Sequence, residues 1–130
     1  MARVLAARGY QLAIHANHAL KQAEKTVREL EESGTTAIAV RGNLAEEQEV
    51  HQLVQTVIER FGHIEALVNS AGIWKSGVLE DVTAEDVRSH FDVNTLATFL
   101  CCQKVGLQMV SQDHGGSIVN IGDWSIVRPC

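Results

Sequence analysis

The sequence predicts an α/β protein in which helices cover both faces of a doubly wound parallel sheet, in three α/β/α layers. Three observations carry this prediction. Short apolar segments alternate with charged amphipathic segments along the whole chain. The connections between them are short, which favours parallel strands joined by helices. The length of 130 residues fits one domain, and neither a repeat nor a low-complexity tract interrupts the order.

The first half of the chain predicts helix, strand, helix, strand and helix, at residues 2–8, 10–15, 19–33, 36–40 and 46–61. Gly9 and Gly34 end the first two helices, because glycine accepts the left-handed conformation common at helix C-termini. The segment 19–33 has apolar residues three or four positions apart, as in a helix with one buried face. The helix at 46–61 begins with acids, which suit the positive end of the helix dipole.

The second half predicts a strand at 64–69, a tight turn at 70–72, a long helix at 84–112 and a strand at 117–121. Thr83 followed by acids is typical of a helix N-cap. The last strand delivers Asp123 at its carboxyl end, where ligands gather in open α/β sheets. Asp123 is therefore a site candidate; the alternative is a loop aspartate that caps a turn.

Composition and charge exclude several classes of protein. The net charge of -5 argues against a nucleic-acid partner, and no apolar run approaches the roughly 20 residues of a membrane span. The N-terminus has too short an apolar stretch for a signal peptide. Three cysteines, two of them adjacent, form no disulfide framework and show no zinc-ligand spacing with the histidines. We therefore expect a cytoplasmic protein without a metal.

Four segments carry the functional information: Asn43-Leu44, Asn69-Ser70-Ala71-Gly72, Phe91-Asp92-Val93-Asn94-Thr95 and Ile118-Val119-Asn120-Ile121-Gly122-Asp123. Together they resemble the short-chain dehydrogenase/reductase family over the whole chain. The resemblance implies a single partial NAD(P)-binding, Rossmann-like domain over residues 1–130, truncated at both ends. The first strand with its glycine-rich turn would precede residue 1, and the family's Tyr-x-x-x-Lys pair would follow Cys130.

The resemblance also assigns cofactor-binding positions. Small residues after the third strand would let the backbone approach the adenosine side of the cofactor, and Asn43 would meet the adenine. By itself, Asn43 fits an ordinary Asx-turn equally well. The expected cofactor-binding residues are Asn17, His18, Asn43, Leu44, Asn69, Ser70, Ala71, Gly72, Ile121 and Gly122.

The segment after the strand at 10–15 bears on cofactor choice. NAD-binding sheets place an acid after the second strand for the ribose 2′-hydroxyl. Here the chain reads His15-Ala16-Asn17-His18, with no acid before Glu24. An uncharged or weakly cationic end tolerates a 2′-phosphate, so NADP(H) is favoured over NAD(H).

Asn94 and Asp123 are the expected catalytic residues, and Trp74 the expected substrate contact. Asparagine is a poor residue within a helix, so a buried Asn94 needs a reason; the family's reason is a local kink with the amide holding a water in a proton relay. A solvated surface residue is the alternative. Asp123 stands where most members carry Ser, and with Trp74 it resembles the pteridine reductase branch. Trp74 could instead pack against its own domain.

The implied reaction is hydride transfer between a nicotinamide and a C=O or C=N bond of a small-molecule substrate, in a homo-oligomer (dimer or tetramer) when full length. Partial desolvation would raise the pKa of Asp123 and let it handle a second proton. Two alternatives stay open: a non-catalytic truncated module that dimerises through its helices, and a flavodoxin-like binding domain. Because strand edges would lie open, we expect the 130-residue chain alone to be marginally stable and inactive.

Overall fold

The computed structural model describes residues 1–123, which fall into two compact units that divide after Gly62. The helices and strands are α1 (Ala2–Ala6), β1 (Leu12–Ala16), α2 (Leu20–Glu32), β2 (Ala37–Arg41), α3 (Glu47–Phe61), β3 (Ala66–Asn69), α4 (Ala84–Phe91), α5 (Ala97–Ser111) and β4 (Ser117–Asn120). The predicted alternation of helices with parallel strands is confirmed, with small shifts at the ends of the elements. A short 3-10 helix at Leu79–Asp81 was not predicted.

Unit 1 is built on the parallel pair β1 and β2, in register from Leu12 opposite Ala37 to Ala16 opposite Arg41. Its best-buried apolar cluster joins this pair to α2 and contains Leu12, Val27, Leu30 and Ala37. The apolar face that the three-to-four spacing predicts for α2 therefore packs against the two strands.

Glycines with positive φ follow two helices of unit 1. Gly34 comes directly after the C-cap of α2, as predicted, whereas α1 ends earlier than predicted, at Ala6, and Gly9 lies three residues beyond it. Gly9 has φ 88° and Gly34 has φ 85°, a region in which other residues are strained. The third helix, α3, ends at Gly62 with φ 83° and buries Val50 and Val54. Burial of both valines four positions apart fixes which face of α3 points inward.

Unit 2 is built on the parallel pair β3 and β4, in register from Ala66 opposite Ser117 to Asn69 opposite Asn120. The buried face of α5 consists of Ala97, Leu100, Cys101, Val105 and Met109. By contrast, all four residues of β4 are exposed. The predicted strand is confirmed, but within this chain its apolar residues are not covered.

The long helix predicted at 84–112 is interrupted. Thr83 caps α4 in a reciprocal capping box with Asp86, as the Thr-x-x-acid pattern indicates. Between α4 and α5, residues Asp92–Leu96 form a π-helical turn, so the local irregularity expected at Asn94 is present. The expectation that Asn94 is buried was wrong, because this residue is exposed to solvent.

The four described strands form two separate two-stranded parallel sheets, β1–β2 and β3–β4. Each described strand thus has one hydrogen-bonded neighbour, and its other edge is unpaired within residues 1–123. Among residues 1–123 there is no helix whose length and apolar content would carry it across a membrane.

Candidate functional site

The carboxyl ends of β3 and β4 are tied together by side chains. The amide Nδ2 of Asn69 donates to Oδ1 of Asn120 at 2.8 Å and contacts the Sγ of Cys102 at 3.3 Å. The same Asn120 oxygen accepts from the Cys102 thiol at 3.5 Å. One residue further, the backbone N–H of Ile121 donates to the carbonyl of Asn69 at 2.8 Å. These contacts fix the edge of the sheet from which both following segments leave.

Asn94 holds the turn that follows β3. Its Oδ1 accepts from the N–H of Ile73 at 2.8 Å, and its Nδ2 donates to the Ile73 carbonyl at 3.0 Å. A Cβ added at Gly72 would lie 3.3 Å from that Oδ1. The small residue at position 72 thus has a structural reason, since a larger one would press against the asparagine amide.

The loop after this turn carries Trp74 and Lys75. Trp74 is 82% exposed, and its contact with a substrate stays a prediction. Lys75 Nζ donates to Asp86 Oδ1 at 2.6 Å, while Asp86 Oδ2 accepts from the Thr83 hydroxyl at 2.6 Å. The Lys75 ammonium, followed by the Thr83 contacts, holds the pKa of Asp86 well below its usual range.

Asp123 lies three residues beyond β4, and Ile121, Gly122 and Asp123 are all exposed. Because β3 and β4 are parallel and in register up to Asn69 and Asn120, the segment with Asp123 leaves the same sheet edge as the turn that Asn94 holds. A role of Asp123 in proton transfer stays a prediction.

In unit 1, the carboxyl end of β1 presents Asn17 and His18, as expected, together with a cation that sequence reasoning missed. Arg41, the last residue of β2, donates from Nε to the carbonyl of Asn17 at 3.2 Å. The sequence carries no signal for this contact, because it depends on Arg41 lying opposite Ala16 in the parallel pair. A guanidinium beside this segment suits a phosphate group.

Asn43 makes the Asx-turn that sequence alone left open. Its Oδ1 accepts from the N–H of Ala45 at 3.1 Å, and its own N–H donates to Glu49 at 2.8 Å. Leu44 lies inside this turn. Next to it, the Nε2 of His15 lies 2.8 Å from the Gly42 carbonyl. The side chain of Asn43 therefore shapes the loop after β2, and contact with an adenine stays a prediction.

The donors after β1 and the small residues after β3 are each compatible with a dinucleotide cofactor. The segment after β1 has an imidazole and no carboxylate in its sequence, and the guanidinium of Arg41 in β2 lies beside it. The turn after β3 is built of small exposed residues. NAD-type sites would place an acid where Asn17 and His18 stand.

The family described as short chain dehydrogenase matches residues 1–125. Among curated proteins, the chain is 36% identical over 120 residues to a 3-oxoacyl-[acyl-carrier-protein] reductase of Synechocystis sp., covering 92% of this chain and 48% of that protein. It is 35% identical over 117 residues to an L-rhamnose 1-dehydrogenase (NAD(P)(+)) of Sphingomonas sp., covering 90% and 46%. The chain spans about half the length of these relatives.

Solved structures give the same result. A short chain dehydrogenase from Burkholderia cenocepacia, determined in complex with NADP, superposes with a TM-score of 0.90 at 32% identity. The match covers 99% of this chain and 51% of that one.

Proposed function

The chain belongs to the short-chain dehydrogenase family, and from that premise we propose that the full-length protein is an NADP-dependent oxidoreductase that reduces a C=O or C=N bond. The supporting comparisons include both a 3-oxoacyl reductase and a sugar dehydrogenase. Because these relatives have such different substrates, they support the class of reaction but do not identify a particular substrate.

One observation carries the proposal: the edge of β3 and β4 that Asn69 and Asn120 close at 2.8 Å. From this edge leave the turn held by Asn94 and the segment ending in Asp123. Polar groups at the carboxyl ends of parallel strands are where α/β enzymes bind their ligands. Asn94, Asp123 and Trp74 are therefore our candidates for contact with the reacting groups.

When bound, NADPH supplies the hydride. Asn94 would orient the turn after β3 and, as the family implies, hold a water for proton transfer. Asp123 would donate a proton or a hydrogen bond to a ring nitrogen, and the exposed indole of Trp74 would stack on a flat substrate. An acid at 123 together with an aromatic at 74 supports the pteridine-reductase-like branch.

The preference for NADP(H) rests on unit 1. The Arg41 guanidinium, held at the Asn17 carbonyl, would pair with a 2′-phosphate, and His18 would add a hydrogen-bond donor. The cofactor positions Leu44, Ser70, Ala71 and Gly122 would contribute backbone contacts. Their proposed role rests on family membership.

The test is steady-state reduction by the full-length protein, with ketone and cyclic imine substrates and either NADPH or NADH. We expect Asp123→Ser to lower kcat on the imine by about a hundredfold, as for loss of an acid-base group, and to move the pH profile. Arg41→Ala should raise the KM for NADPH about tenfold and leave that for NADH unchanged; Arg28→Ala is the matched surface control. Full activity and an unaltered pH profile in Asp123→Ser would reject the role of the acid.

A second candidate function, a non-catalytic module that associates with a copy of itself, is favoured by exposed apolar residues on α4 and α5. They are Val87, Phe91, Phe99, Leu107 and Val110. Both candidates allow a dimer, so reductase activity separates them. A full-length protein that lacks reductase activity and forms a dimer that Phe99→Glu dissociates, as measured by sedimentation, would favour the module.

A further inference from the structure

Two histidines and a glutamate that lie far apart in the sequence meet at the amino ends of β3 and β4. His63 and Glu65 precede β3, and His114 lies in the turn before β4. Their ligand atoms, the imidazole nitrogens and a carboxylate oxygen, all lie within 4.8 Å of one another. His63 Nε2 is 3.9 Å from Glu65 Oε1, and the two imidazole rings stand edge to face with centroids 5.0 Å apart.

We propose that His63, Glu65 and His114 form a surface binding site for a divalent transition-metal ion such as Zn²⁺. Imidazole and carboxylate are the donors that such ions take in proteins, with nitrogen and oxygen at about 2.0–2.2 Å. Two imidazoles disfavour Mg²⁺ and Ca²⁺, which prefer oxygen donors. All three side chains are exposed, so small rotations can bring the donors together and leave a position for water.

The backbone beneath the three side chains is fixed by Gln112. Its Oε1 accepts from the N–H of Ile64 at 2.9 Å, and its Nε2 donates to the carbonyls of Ile64 at 3.0 Å and Gly115 at 3.1 Å. Ile64 lies between His63 and Glu65, and Gly115 follows His114. One amide therefore joins the two segments that carry the ligands, and a preformed backbone reduces the entropy lost on binding.

This site is separate from the candidate catalytic edge. Four residues of β3 lie between Glu65 and the turn at Ser70, and the five steps of the chain span about 16 Å at the rise of an extended strand. The inference therefore stands whether or not the proposed reductase activity is found. It also departs from the sequence-based expectation of no metal, which took these histidines as unrelated.

The test is titration of the untagged full-length protein with Zn²⁺ against a chromophoric chelator. We expect one ion per chain, and an affinity reduced by at least about tenfold in His63→Gln and in His114→Gln, since each removes a ligand. The control is His51→Gln, an exposed histidine on α3 in the other unit, which should bind as the unaltered chain does.

A second measurement needs no variant. Zn²⁺ should protect His63 and His114 from diethylpyrocarbonate and leave His51 reactive, as read by peptide mass spectrometry. Equal modification of all three histidines with and without Zn²⁺ would overturn the site, as would unchanged affinity in both glutamine variants or an equal loss in His51→Gln.

Discussion

The side-chain amide of Asn94 pairs with both backbone polar groups of Ile73, accepting from its N–H at 2.8 Å and donating to its carbonyl at 3.0 Å. This copies the pattern by which one strand residue pairs with another. The amide projects from the π-helical turn Asp92–Leu96, and π-turns often mark functional sites. An exposed asparagine within a helix thus holds the loop that the candidate site requires.

Replacing Asn94 should loosen that loop. Asn94→Ala removes both hydrogen bonds, and we expect it to lower the free energy of unfolding by about 1 kcal/mol, because the site is exposed and water can replace part of the loss. Asn94→Asp keeps the acceptor for Ile73 N–H but turns a carboxylate toward the Ile73 carbonyl, so it should be no more stable than the alanine variant. Urea unfolding measures both.

The neighbouring Thr95→Ala serves as the control for Asn94, since Thr95 is exposed in the same turn. Its unfolding free energy should change by less than about 0.5 kcal/mol. Equal losses in Asn94→Ala and Thr95→Ala would mean that the bonds to Ile73 do not stabilise the chain.

Asp86 should make stability fall in acid. Its pKa is lowered by Lys75 and then by Thr83, so the folded state binds this proton less readily than the unfolded one. The stabilisation is complete above the unfolded pKa of about 3.9 and is lost as the pH falls through the lowered value. At pH 7, Asp86→Asn should therefore have a lower melting temperature than the unaltered chain. This difference in melting temperature should narrow as the pH falls below about 4.

Glu29 provides the comparison for Asp86 in the other unit, because its pKa is also lowered, chiefly by its bond to Arg3 at 2.8 Å. Both partners there are more exposed than Asp86, whose side chain is only 20% exposed. The difference in melting temperature between Glu29→Gln and the unaltered chain should therefore change less as the pH falls. A gap between Asp86→Asn and the unaltered chain that stays constant from pH 7 to pH 2 would contradict the assignment.

The adjacent thiols should differ in reactivity. Burial, followed by the neighbouring Cys102, raises the pKa of Cys101 to about 11 from 9.0, so its thiolate fraction at pH 8 is roughly a hundredfold lower than that of an ordinary thiol. Cys102 is half-buried. An alkylating reagent should label Cys102 before Cys101, as read by peptide mass spectrometry. In Cys102→Ser, the alkylation of Cys101 should stay slow. Rapid labelling of Cys101 in that variant would contradict its burial.

The elements could be predicted from the sequence because their signals are local. The apolar face of α2, the positive-φ position of Gly34 and the Thr83 cap each depend on residues a few positions apart. The π-turn at Asn94 was anticipated only as a kink implied by the family. The pairing of Asn94 with Ile73 joins residues 21 positions apart, so no local signal indicates it.

Contacts that depend on strand register could not be predicted. Arg41 reaches Asn17, and His114 meets His63, only because neighbouring strands are parallel and in a specific register. Apolar periodicity identifies a strand and its faces, but it does not say which residue of another strand lies opposite. The same limit applies to Asn69 and Asn120, whose pairing closes the candidate site.

Gly116 should tolerate alanine poorly, because β4 begins close against α5. A Cβ at this position would lie 2.6 Å from Cγ and Sδ of Met109, which is buried. We expect Gly116→Ala to lower the free energy of unfolding by about 1–3 kcal/mol through overpacking. Urea unfolding measures this loss. Gly77→Ala is the control, since no described heavy atom lies within 4 Å of its added Cβ.

A double-mutant cycle identifies the cause of the Gly116 effect. Met109→Ala removes the atoms that the new methyl group would meet, so the double variant should be more stable than the sum of the two single losses predicts, by about 0.5 kcal/mol or more. Strict additivity would place the strain in the backbone of the Gly115-Gly116 turn. Because Gly115, and not Gly116, is the glycine of that turn with positive φ, at 65°, we expect coupling to the methionine.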